Sequence, residues 1–295
     1  MVLFLILIYA FQSLSIKCFS ADYPGEARNS SPVFTIVSGV TVAVVTLAVI
    51  GFQFSASPLT VALAAVNSLA LVGYNTSFMK ASALGPYSVS MVFSIAGGII
   101  LPTVSAAAAP LIIKALGAPV IPSPVKMISV ILVLGAVYLV SRKAGETYTN
   151  KKLYFIYALG IAVSNGAYGA LLDAQQRLTG ASEKEEMAIM SYLFAAIISA
   201  VMLLFKEKRG FLPAFRQTKR SLFFLLLGSA MITLAINILG ILLGIVNVTV
   251  LYTMNNAGVF VFSVLFSWVL FRERLTRLNL VGIILVCIGL VGVAF

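Results

Sequence analysis

The segment ALGPYSVSMVFSIAGG, residues 83–98, lies over LLGIVNVTVLYTMNNA, residues 242–257, with Gly85 on Gly244. In the same way VILVLGAVYLV, residues 130–140, resembles IILVCIGLVGV, residues 283–293. Both matches fall within a series of ten apolar stretches, running approximately 2–19, 32–52, 58–79, 86–113, 125–141, 153–172, 187–205, 221–243, 247–271 and 278–295. They bring the fourth and fifth stretches over the ninth and tenth, so the chain reads as five followed by five. Each stretch is close to the ~20 residues needed to cross about 30 Å of hydrocarbon. None shows the period-two alternation of barrel strands, so all ten read as helices. Five is odd, so two copies of one fold must enter the membrane from opposite sides. The expected fold class is an all-α polytopic membrane protein, ten transmembrane helices in two inverted five-helix repeats, residues 1–145 and 146–295.

Composition agrees. The 295 residues are 61% hydrophobic and 10% charged, with a mean hydropathy of +1.07, against roughly 25% charge in soluble domains. The ten stretches use roughly 200 residues, which leaves short connections and no room for a folded soluble domain. The first stretch lacks a basic leader and carries Lys17 and Cys18 where small residues should precede cleavage, so it reads as a retained span.

The chain has no His, and its two Cys, Cys18 and Cys287, lie in apolar runs. His-based catalysis and the usual His or Cys metal sites are therefore excluded. The Cys pair reads as packing rather than a disulfide. The net charge of +11 does not point to nucleic acid, because the basic residues sit at span ends. Fifteen Lys or Arg fall after stretches 1, 3, 5, 7 and 9 and four on the opposite side. The positive-inside rule makes the first set cytoplasmic, including the loops after helices 5, 7 and 9, and places both termini outside.

Polar side chains within hydrocarbon are costly, so they should face the bundle interior or a wet cavity. Gln12 and Ser15 are one turn apart on helix 1. Asn165 and Tyr168 have the same spacing on helix 6 and fall on them in the repeat alignment. Such a pair suits a substrate site at the repeat interface, and equally suits interhelical hydrogen bonding. Asn67, Tyr74 and Asn75 on helix 3 and Tyr252, Asn255 and Asn256 on helix 9 extend the substrate-binding set, whereas Asn237 reads as a packing residue. Lys17 either snorkels to the nearby surface or supplies a fixed positive charge inward; Asp173 has the same choice with opposite sign. No carboxylate lies at a span centre, which disfavours proton antiport through a buried acid. Gly97, Gly98 and Pro102, with Pro110, make helix 4 the expected broken or bending gate. Ala162, Gly166 and Ala170, like Gly240 and Gly244, are spaced for close helix contact.

The last stretch carries a further pattern. Glu273, Arg274, Leu275, Thr276, Gly282 and Gly289 in RERLTRLNLVGIILVCIGLVGV resemble the closing signature of EamA-type members of the drug/metabolite transporter superfamily, with Arg272 in place of the corner glycine. The first-half corner reads Leu116-Gly117-Ala118-Pro119, with Ala118 in place of the acid. Residues 78–98 are similar to the family's junction between helices 3 and 4. The resemblance implies a secondary transporter with a cavity lined mainly by helices 1, 3, 4, 6, 8 and 9. It also implies both termini in the cytoplasm, against the charge count.

The expected function is a secondary transporter, an exporter or exchanger, moving small polar metabolites across the cell membrane by alternating access. The alternative is a permease subunit or assembly partner working with a separate energising protein, since the chain has no GxxxxGK phosphate loop. An enzyme is not expected: there is no His, and the nine acids lie mostly in loops. The expected partners are a small-molecule substrate and the lipid bilayer, with no nucleic acid, cofactor or metal; association as a homodimer is left open.

Overall fold

In hydrocarbon every backbone N–H and C=O must be met within the chain, which leaves helices as the local solution for these apolar runs. The computed structural model describes residues 1–142, 148–179, 183–206, 212–243, 248–272 and 277–294, without the side chains of 137, 140–142, 206, 243, 248–250, 252–254, 257, 279 and 293–294. Among the described residues ten α-helices follow in order: α1 (Val2–Asp22), α2 (Ala27–Val49), α3 (Pro58–Leu84), α4 (Tyr87–Ile112), α5 (Pro124–Arg142), α6 (Lys151–Thr179), α7 (Lys184–Lys206), α8 (Lys219–Leu243), α9 (Val248–Val269) and α10 (Arg277–Ala294). Strands are absent among the described residues. Seven helices, α1–α4 and α6–α8, are long and apolar enough to span a membrane by length and composition. Among the described residues α5, α9 and α10 carry shorter apolar runs, Pro124–Ala136, Gly258–Val269 and Leu280–Gly292.

The ends differ from the hydropathy limits where polar chemistry extends a helix beyond the lipid. α6 runs to Thr179, past the expected end at 172. Asp173 and Arg177 form an i,i+4 ion pair at 2.8 Å, and Gln175 donates to the Thr179 hydroxyl; both bonds continue a helix that hydropathy reads as loop. α3 begins at Pro58 behind Ser57, whose hydroxyl accepts from Thr60 N–H at 3.3 Å, a hydroxyl cap with proline at the first helical position.

Each helix packs chiefly on the other half of the chain. The most extensive pairings are α2 with α7, α4 with α6, α3 with α6, α5 with α10, and α1 with α8. Hydrogen bonds join further pairs of helices, α3 to α7 and α8 to α2 across the halves and α3 to α2 within the first half. Asn67 donates to Ser191 Oγ at 3.1 Å, Asn75 to Thr35 Oγ1 at 3.0 Å, and Asn237 to Thr46 Oγ1 at 3.1 Å. Aliphatic side chains such as Val44, Leu69, Ile131 and Leu204 are exposed on the outer surface, where lipid would meet them.

α4 is continuous through Pro102 and Pro110, so it is not broken. Gly97 brings its backbone against α6: a methyl group there would collide with the Ala162 carbonyl, and one at Gly166 would meet Gly97 O and Leu101. That is the close approach expected of the spacing Ala162, Gly166. The corner before α10 also departs from helix. Arg272 takes φ +52°, in the left-handed region, and Gly117 takes φ +82° at the first-half corner. The rest of the closing signature, Glu273, Arg274, Leu275 and Thr276, lies outside the described residues; Gly282 and Gly289 lie on α10.

Two outcomes follow for melting in detergent. Gly97→Ala should destabilise the bundle by about 1–3 kcal/mol, the usual cost of overpacking, while Gly135→Ala, with nothing within 4 Å of its new methyl, should be tolerated. Arg272→Gly should raise stability by about 1 kcal/mol by relieving the left-handed backbone; unchanged melting would show that the corner carries no such strain.

Candidate functional site

A set of polar groups gathers around a cavity of about 510 Å³. Its walls come from α1, α3, α4, α6, α8 and α9, the six helices the resemblance implied. Tyr192 of α7, residues 120–123 between α4 and α5, and Lys126 in the first turn of α5 complete them. The cavity occupies the half of the bundle where α3, α5 and α9 begin and α4 and α6 end. The opposite end, where the connections carry most Lys and Arg, is here termed the basic end.

Seven of the eleven expected substrate-binding residues line this space: Gln12, Tyr74, Asn75, Asn165, Tyr168, Asn255 and Asn256. Tyr74 OH lies 3.3 Å from Ser94 Oγ, and its ring stacks on Phe78 at 5.6 Å. Asn165 donates to the Ser94 carbonyl at 2.7 Å, which holds its amide against the α4 backbone. Gly98 sits between two amides, since a methyl there would meet Asn165 Nδ2 at 2.8 Å and Asn256 Nδ2 at 3.9 Å. The absence of a side chain at Gly98 therefore keeps this stretch of wall open. Gln12 and Asn255 are more than nine-tenths buried, and their carbonyl oxygens have no hydrogen-bond partner among the described residues. Unmet acceptors at this depth are costly, and a flip of either amide would leave its donor unmet in the same place.

The others lie elsewhere. Ser15 is fully buried and donates to Phe11 O at 2.7 Å, facing α8 near Gly228. Asn67 joins α3 to α7, and Asn75 serves two purposes, lining the cavity while bonding Thr35. Lys17 is outside the lining, its ammonium 3.6 Å from the Phe271 ring centroid and 5.0 Å from that of Tyr87. The Tyr252 side chain lies outside the described residues. Of the gating set, Gly98 and Pro102 line the cavity and Gly97 faces α6.

Apart from Asp173, the residues that complete the site are not expected from sequence. Tyr9 and Tyr192 add two phenols to those of Tyr74 and Tyr168, and Ser13, Ser94 and Thr103 add hydroxyls. Lys126, Asp173, Gln176 and Arg177 line the outer part, three of them because α6 continues as helix past its apolar stretch. Asp173 and Arg177 largely neutralise each other. The deep part holds neutral amide, hydroxyl and aromatic groups, which suit a polar solute of no net charge. Groups of three or more acidic, His or Cys side chains placed to hold a metal ion are absent among the described residues.

Residues 152–295 match the model of the EamA-like transporter family, part of the drug/metabolite transporter superfamily. Thirteen chains of solved structures are also similar. One, a crystal structure, shares 16% identity with a TM-score of 0.63, covering 99% of this chain and 93% of that one; at that identity the likeness speaks for the fold alone. No curated protein matches the sequence.

At the cavity's end of the bundle, the carboxylate of Glu183, before α7, accepts from Ser57 Oγ at 2.8 Å and from Ser57 N–H at 3.1 Å. The Thr60 hydroxyl, then these Ser57 groups, hold its carboxyl below the usual carboxylate range. A depressed folded pKa gives stability that is present above the unfolded value near 4.3 and is lost as pH falls through the folded value. Melting temperature should therefore fall on acidification below about pH 4.3, and Glu183→Gln should remove that part of the fall while lowering stability at neutral pH. An acid limb unchanged in the variant would exclude Glu183 as its source.

Proposed function

We infer, from residues 152–295 matching the EamA-like transporter family and from the cavity above, that this membrane transporter moves small polar metabolites of no net charge by alternating access. The carrying observation is the cavity itself: amide, hydroxyl and phenol groups enclosed by an apolar bundle, with paired or isolated charges only toward its mouth. Neutral polar solutes lose least on entering such a space, because every group they present can be met by an amide or hydroxyl. The neutral depth argues against a buried acid as the coupling group.

Two features support an inverted repeat behind this mechanism. Replacing each helix by the one five places along turns α1 with α8 into α6 with α3, α4 with α6 into α9 with α1, and α3 with α7 into α8 with α2, all of which pack together. The corners before α5 and α10 share a left-handed residue, Gly117 and Arg272. Such symmetry would let the bundle close one end while opening the other around a fixed site. The positive-inside bias then turns the cavity mouth to the outside of the cell membrane and the basic end to the cytoplasm, with export or exchange as the expected direction.

The experiment has two stages. A thermal-shift screen of purified protein against metabolite pools identifies binders, since a ligand of the native state raises apparent stability by mass action. Uptake of the best binder into proteoliposomes then measures transport. Asn255→Ala and Gln12→Ala should each lower transport by roughly tenfold, the loss of one hydrogen bond worth about 1.4 kcal/mol, with unchanged melting of the unliganded protein. Wild-type rates in both variants would remove these amides from the site, and absence of flux for every binder would refute transport.

A further inference from the structure

Toward the basic end the cavity stops at a knot of side chains to which the substrate site gives no task. At its centre is Tyr87, in the first turn of α4 and without exposed surface. Its hydroxyl lies 2.6 Å from Ser13 Oγ of α1 and donates to Ser263 Oγ of α9 at 3.4 Å. Three helices that wall the cavity thus meet on one oxygen atom. Phe78 of α3 meets the Tyr87 ring edge-on at 6.0 Å. Phe271 lies 5.5 Å from it, and the Lys17 ammonium of α1 lies over both rings. Ser13 itself lines the cavity, so this knot is the cavity floor. Just beyond, Tyr154 of α6 donates to Pro86 O at 3.0 Å and lies 3.0 Å from Ser90 Oγ.

A phenol can be buried among apolar rings only while its hydroxyl is met, so the knot selects one arrangement of α1, α4 and α9. Hydrogen bonds between membrane helices are individually weak, so the same knot can open on the way to another state. The two ends of the repeat are unequal in this respect. The alignment of residues 83–98 with 242–257 sets Val246 where Tyr87 stands, so the matching position supplies no hydroxyl.

We infer that Tyr87 is the positioning residue of the basic-end seal: through Ser13 and Ser263 it holds α1, α4 and α9 together, so the cavity rests open at its other end. This rests on the transporter reading and names the part of the chain that biases its equilibrium.

The test needs no solute. In a Cys18→Ser, Cys287→Ser background, Met91→Cys places a thiol on the cavity wall, and a membrane-impermeant methanethiosulfonate is applied to either face of oriented membrane vesicles. With Tyr87 in place the thiol should react faster from the mouth face. Tyr87→Phe keeps the ring and loses the hydroxyl; it should raise the rate from the basic face by roughly three- to twentyfold, the range of membrane hydrogen-bond strengths, without raising the rate from the mouth face. Ser263→Ala, which removes the longer of the two contacts, should act in the same direction by less, and it decides the matter if Tyr87→Phe does not fold. Unchanged rates in both folded variants, or equal rises from both faces, would overturn the seal. Because accessibility is read without transport, a protein that moves no solute but shows the face-selective change refutes the transporter reading and leaves the seal standing.

Discussion

Every backbone polar group within the membrane must find its partner inside the bundle, and polar side chains must turn away from lipid; that constraint organises the molecule. It makes each apolar run a helix and turns the few amides and hydroxyls inward. Inside, they divide between two uses. Asn67, Asn237 and Ser15 are spent on other helices or their own backbone. Gln12, Asn255, Asn256 and Asn165 surround open space. Asn75 and Asn165 do both, lining the cavity while bonding Thr35 and the Ser94 carbonyl, so the boundary between scaffold and site runs through single residues of α3 and α6.

The bundle is uneven along its axis. Its largest fully buried side chains include Tyr87, Tyr154, Phe19, Phe34 and Phe78, and these fill the half nearest the basic end. Tyr23 OH donates to Ala214 O, and Arg220 pairs with Asp22, so that end is also tied to the connection between α7 and α8 and to the first turn of α8. The other half holds the cavity, bordered by the Asp173–Arg177 pair and Lys126. Charge thus lies toward the mouth of the cavity and neutral polar groups deeper in.

Hydropathy made the ten helices legible because the transfer cost of charge is large and its period obvious. It also placed Gln12, Asn165, Asn255 and Asn256 in the interior, since a mid-span amide has few tolerable positions. It could not separate Asn67 from Asn75, eight residues apart on one helix, because the outcome depends on which neighbour lies opposite. Tyr9 and Tyr192 escaped notice because tyrosine is amphipathic and sits among aliphatic residues without a pattern. Gln176 and Arg177 were hidden by the end of the apolar stretch, where an ion pair rather than lipid sustains the helix.

The pairing of helices across the halves has a bearing on how the chain is made. α1, α2, α3 and α5 find their most extensive partners in α8, α7, α6 and α10, all of which leave the ribosome later. While synthesis proceeds, the amide of Asn67 and the hydroxyl of Thr46 are in the bilayer before Ser191 and Asn237 exist to meet them. Insertion and assembly are therefore separable for this protein: the early helices enter the membrane on hydropathy, and their most extensive packing can form only once the second half has been made.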